Sequence, residues 1–190
     1  MIAPPGTYSV IVSHRVMSTK KRAPVRRIER REPVAHLSPG EGETFRLFDG
    51  ATYAFRSRGR GYTLVESTAP PGGGMPPHVY HTQDEVIYVL EGEFSFASEA
   101  GALTLGPGCV VSVPKGTVHV LKVSGKEPGR CLLLLAPPGS LERFLEEVGV
   151  PVTDGETSAR NDSHPRMETD AEKVLQSARR NGIELLITPV

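Results

Sequence analysis

Four side chains suited to acid–base or metal chemistry fall in two short apolar stretches of the 190-residue chain: His78, Tyr80 and Glu85 in PPHVYHTQDEVIYVLEG, and His119 in PKGTVHVLKV. Alternate residues of a strand share a face, so His78 stands with Tyr80, Glu85 with Ile87 and Val89, and His119 with Leu121 and Val123. The counting directs two imidazoles and a carboxylate to the same side as apolar neighbours. Such groups are costly to bury unless they bond to one another or to a metal. Two imidazoles and a carboxylate suit a first-row transition metal, and three protein ligands leave one position open for water or substrate. The same residue types also occur as hydrogen-bonded core or surface groups, so by themselves they leave both readings open. Alternation points His81 away from His78, which makes it a surface or inter-strand hydrogen-bonding residue rather than a ligand.

The elements that must position these residues read as short strands. FRLFDGATYAFRS has two β-rich arms around Asp49-Gly50, a dipeptide suited to a tight hairpin. GYTLVESTAP, EVIYVLEGEFSFAS, ALTLGPGCVVSVPKG, TVHVLKV and RCLLLLAPPG follow, separated by glycine, proline and acidic turns. No helical stretch of crossover length lies between them, which excludes a βαβ fold and points to an all-β sandwich or small closed barrel. After Gly139 the period changes. Leu141, Phe144, Leu145 and Val148 are at helical spacing, with Ser140 as the expected N-cap and Gly149 as the stop. Thr169 and Glu172 have capping-box spacing ahead of a second helix that Asn181-Gly182 ends. The apolar run Ile183–Ile187 is expected to lie on the strands or on a partner subunit.

Composition narrows the function classes. Lys+Arg and Asp+Glu are both 22, so the formal net charge is zero and the whole molecule has no electrostatic case for nucleic acid or an anionic membrane. The stretch from Lys20 to Arg31, KKRAPVRRIERR, sets seven basic residues against Glu29, but no aromatic is interleaved and it reads as a solvated tail. Cys109 and Cys131 lack disulfide-framework or C-x-x-C spacing and read as small core residues. No stretch approaches the length of a membrane span and the N-terminus has no export signal, so the expectation is cytoplasmic residence.

Two motifs carry a family resemblance. GGGMPPHVYHTQDEVIYVLEG, Gly72 to Gly92, resembles the first cupin motif, G(X)5HXH(X)3-4E(X)6G. GCVVSVPKGTVHVLKV, Gly108 to Val123, resembles the second, G(X)5PXG(X)2H(X)3N, through Gly108, Pro114, Gly116 and His119. The chain is similar to bacterial single-domain cupins resembling quercetin 2,3-dioxygenase. The resemblance implies a cupin β-jelly-roll barrel over residues 44–137, with an extended N-terminal arm (1–43) and a helical C-terminal extension (138–190).

Carried over by position, the family's metal ligands are His78, Tyr80, Glu85 and His119, with tyrosine where the family has a second histidine and Val123 where it has asparagine. Tyr80 then ligates oxidised iron as a phenolate, hydrogen-bonds a metal-bound water, or fills space in a site without metal. The implied cofactor is one divalent transition metal (Fe, Mn, Ni, Co, Cu or Zn). The implied activity is a metal-dependent dioxygenase acting on a small aromatic or enolic compound, with Glu85 taking the substrate's hydroxyl proton. The alternatives are a non-oxidative cyclase or isomerase using Tyr80 and Glu85, and a small-molecule-binding cupin with a degenerate metal site. A small hydrophobic organic ligand and a homodimer are the expected partners.

Overall fold

The computed structural model describes residues 34–152 and 170–187, so the basic stretch Lys20–Arg31 and the proposed cap Thr169 lie outside the described residues. Ten strands come first: β1 (Thr44–Arg46), β2 (Thr52–Arg58), β3 (Thr63–Ala69), β4 (His78–Tyr80), β5 (Asp84–Glu91), β6 (Phe94–Ser98), β7 (Gly101–Leu105), β8 (Val110–Val113), β9 (His119–Val123) and β10 (Gly129–Ala136). They are followed by α1 (Ser140–Val148), β11 (Val150–Pro151), α2 (Ala171–Arg180) and β12 (Ile183–Leu185).

The strands form two separate antiparallel sheets. One has seven strands in the order β11-β1-β2-β3-β10-β5-β8, the other five in the order β12-β4-β9-β6-β7. This corrects the expected closed barrel. No backbone ladder joins the sheets, so β8 and β11 remain edges of the first and β7 and β12 edges of the second. The inner faces meet through side chains instead, the double-sheet solution to burying a half-apolar strand. Alternation explains which side chains go in. In β3 every second residue is buried, and in β5 Glu85, Ile87 and Val89 are buried while Tyr88 is exposed.

Turn chemistry sets the strand ends. Between β1 and β2, Asp49 Oδ1 accepts from Ala51 N at 3.0 Å and Gly50 takes φ 78°, a left-handed value that glycine adopts without penalty. Helix α1 closes the core with Leu141, Phe144 and Leu145, all fully buried and each contributing about 2 kcal/mol of apolar burial. Its N-cap is Gly139 rather than Ser140: Glu142 Oε2 reaches back to Gly139 N at 2.8 Å, while the Ser140 hydroxyl is bonded to Thr82 at 2.9 Å. The second helix is capped by Asp170, whose Oδ1 accepts from Glu172 N and Lys173 N. In the C-terminal apolar run, Ile183 and Leu185 pack within the same chain, where Ile183 pairs with Tyr80 and Leu185 with His78, while Leu186 and Ile187 are exposed.

Candidate functional site

The two histidines stand side by side on the five-stranded sheet, where His78 of β4 and His119 of β9 are register partners. Glu85 faces them from β5 of the other sheet. Three tethers hold this arrangement. Gly116 N donates to Tyr80 O at 2.8 Å, tying the turn that feeds β9 to the end of β4. Lys115 N donates to Asp84 Oδ1 at 2.9 Å, tying the same turn to the start of β5. Gln83, 1% exposed, donates to Pro137 O at 2.6 Å and accepts from Leu141 N at 3.3 Å, anchoring the approach to Glu85 on the end of β10 and on α1.

His119 Nε2 lies 2.9 Å from Glu85 Oε2, with the side chains 1% and 4% exposed. Its Nδ1 donates to Thr117 O at 3.1 Å. Burial works against charge on this imidazole, but the hydrogen bond and negative charge of Glu85 outweigh it and raise the His119 pKa above 6.5. Glu85 thus favours the protonated form of His119, in which both ring nitrogens donate. His78 behaves oppositely. Burial first, and the neighbouring His119 second, lower its pKa from 6.5 to about 4, so it is neutral at pH 7. Its Nδ1 donates to Pro76 O at 2.9 Å, which leaves Nε2 as a bare lone pair.

His78, Glu85 and His119 each offer a ligand atom within 4.8 Å of the others. Main-chain carbonyls fix both histidine Nδ1 atoms, the outer-shell arrangement that holds ligating imidazoles in one tautomer. This donor set fits a divalent transition metal, which would be held by the two histidines and Glu85 and would supply Lewis acidity. The ligand set expected from sequence is corrected in one respect: the site is formed by two histidines and one glutamate, not by a tyrosine standing in for a histidine. Tyr80 lies edge-on to His78, with ring centroids 5.1 Å apart. Burial, then the charges of Glu85 and Glu142, hold its phenol well above its ordinary pKa. A neutral phenol is a hydrogen-bond donor and a poor ligand. His81 is exposed and bonds Glu184 across the β4–β12 pair at 3.1 Å, the inter-strand role that alternation assigned it.

Tyr80, the three charged or ligating residues and an apolar wall line a narrow interior cavity that opens at its mouth. Tyr53, Ser67 and Cys131 also line it, and the sequence reading did not single out the first two. Their signal was present in the alternation, since Tyr53 shares parity with Phe55, and Ser67 with Val65 and Ala69.

The family model for the cupin domain matches residues 65–135. Germin-like protein subfamily 2 member 2 of Arabidopsis thaliana is 43% identical over 75 residues, covering 37% of this chain and 34% of that protein. Quercetin 2,3-dioxygenase of Bacillus subtilis is 28% identical over 120 residues, covering 60% of this chain and 34% of that protein. The chain spans about a third of the length of these curated relatives, among which plant germin-like proteins recur. Among solved structures, the polyketide cyclase RemF of Streptomyces resistomycificus aligns with a TM-score of 0.50 at 19% identity, over 56% of this chain and 81% of that one. An RmlC-like cupin from Shewanella frigidimarina aligns at 0.50 and 21% identity, over 55% and 93%. At these identities the likeness speaks for the fold alone.

Proposed function

We propose, from the match of residues 65–135 to the family model for the cupin domain, that the chain is a small-molecule-binding cupin with a degenerate metal site, in which Glu85 and His119 carry out non-oxidative proton transfer on the bound compound. The observation that carries this reading is the buried 2.9 Å Glu85–His119 pair opening on an apolar cavity beside a neutral imidazole and a neutral phenol. Two imidazoles shifted in opposite directions in one cavity are what acid–base chemistry requires.

The division of labour follows from the hydrogen bonds. Glu85 Oε2 is occupied by His119, which leaves Oε1 to act as the base. On an enolisable carbonyl compound, Oε1 takes a proton from the carbon beside the carbonyl. The C–H electron pair becomes the C=C bond of an enolate and the carbonyl π pair moves to oxygen. The Tyr80 phenol donates a hydrogen bond to that oxygen, and the proton returns from Glu85 to the same or another carbon. No electrons leave the substrate, so no oxidant is consumed.

The test is anaerobic solvent-deuterium exchange into 4-ethylacetophenone, followed by mass spectrometry with EDTA present. The reading expects exchange above the buffer rate that falls at least a hundredfold in Glu85→Gln, consistent with the loss of a general base. Exchange no faster than buffer, or a reaction appearing only with oxygen and added metal, overturns it.

A further inference from the structure

We infer that Tyr53 and Ser67 form a second polar pole of the cavity, which selects an uncharged compound carrying a hydrogen-bond-accepting oxygen at the end remote from Glu85. The inference rests on the proposed function above and names the class of compound its site takes.

The pole is built by strand register. Tyr53 of β2 pairs with Ser67 of β3, Ser67 pairs with Cys131 of β10, and Cys131 pairs with Val89 of β5. Tyr53, Ser67 and Cys131 are all buried, so these three polar side chains form a row across three neighbouring strands of the seven-stranded sheet, with Val89 at its end. Glu85 and Val89 are four residues apart on β5, which places the row about 13 Å along the strand direction from the acid–base pair. Glu85, the row and the apolar Ile87, Phe94 and Leu133 all line the cavity, with Ile87 between Glu85 and Val89 on β5.

The row is under-used by the protein itself. Tyr53 is 3% exposed and Ser67 7%, yet among the described residues neither hydroxyl makes a hydrogen bond, and both side chains line the cavity. Both hydroxyls face the cavity, where an acceptor on a bound compound can take their hydrogen bonds. Burial, then the charge of Asp49, holds the Tyr53 phenol well above its usual pKa, and burial pushes the Cys131 thiol up to about 12, so the row's own side chains are uncharged donors.

Charge decides the class of acceptor. No lysine or arginine is among the described residues lining the cavity, and Glu85 already brings a carboxylate. A phosphate or carboxylate there would be an unpaired anion in an apolar enclosure, whereas a ketone, ester or amide oxygen needs only the donors present. The second pole is thus a filter for neutral oxygen compounds.

The experiment measures calorimetric affinity of the full chain for 1,4-diacetylbenzene, 4-ethylacetophenone and 4-acetylbenzoate, with wild type, Tyr53→Phe and Ser67→Ala. The diacetyl compound should bind about three- to tenfold more tightly than the ethyl compound, the scale of a neutral hydrogen bond. Each variant should narrow that preference, and an unchanged melting profile reports that it has folded. The acetylbenzoate should bind more weakly than either. Equal affinity for the first two compounds in wild type, a preference untouched by both variants, or tightest binding of acetylbenzoate overturns the second pole. If 4-ethylacetophenone still undergoes Glu85-dependent exchange in any of those cases, the proposed function stands without it. If wild type binds none of the three, both fall.

Discussion

Replacing His119 by Leu removes one member of a pair whose side chains are 1% and 4% exposed, leaving the Glu85 carboxylate enclosed without its 2.9 Å partner. Breaking a buried pair from one side costs about 3–5 kcal/mol, because the remaining charge is desolvated and uncompensated. Replacing both members with apolar residues of similar size removes that penalty, so Glu85→Met/His119→Leu should be more stable than His119→Leu alone. The assay is urea denaturation at pH 7 with EDTA, since any metal bound to the native state would add stability of its own. With a slope of about 2 kcal/mol per molar urea, the single variant should shift its midpoint by about 2 M and the double variant should regain most of it. A single-variant cost under about 1 kcal/mol, or a double variant less stable than either single, would refute the mutual dependence of the buried His119–Glu85 pair.

Stability should also fall in acid through His78: its folded pKa is depressed from 6.5 to about 4, so the unfolded chain binds more protons in that window. The contribution is complete above pH 6.5, is lost as the pH falls through about 4, and amounts to about 3 kcal/mol; His78→Phe should flatten this limb, and a parallel profile would contradict the assignment. Tyr80→Phe should leave Co(II) or Zn(II) affinity within about threefold by calorimetry, whereas His78→Ala should lower it at least tenfold; equal losses would return Tyr80 to the ligand set. Gly74 has φ 134° and an added Cβ would stand 2.2 Å from Leu121 O, so Gly74→Ala should cost about 2 kcal/mol or more in thermal melts, and a wild-type melting temperature would show that the loop walling the cavity yields freely.

What the sequence disclosed follows from how local each signal is. The inward direction of Glu85 and His119 was readable because alternation and the two motifs act within single strands. The outward direction of His81 was readable for the same reason, and its bond to Glu184 is the consequence. Closure was not readable, because it depends on which strands become neighbours across long separations, and here β8 and β7 end their sheets without meeting. The α1 cap moved to Gly139 because Thr82, 58 residues away, engages Ser140. Tyr80 occupies the position of a ligand in the motif, yet its enclosure beside Glu85 keeps the phenol protonated. The Tyr53–Ser67–Cys131 row was hidden for a further reason: each residue lies on a different strand and none is unusual by itself.

The central claim is that Glu85, paired with His119, moves a proton without oxygen. Anaerobic deuterium exchange into 4-ethylacetophenone, measured with EDTA for wild type and Glu85→Gln side by side, tests it most directly. The account predicts exchange in wild type that is lost in a variant with an unchanged melting profile. Equal rates in the two proteins, or exchange that requires oxygen and metal, would contradict it.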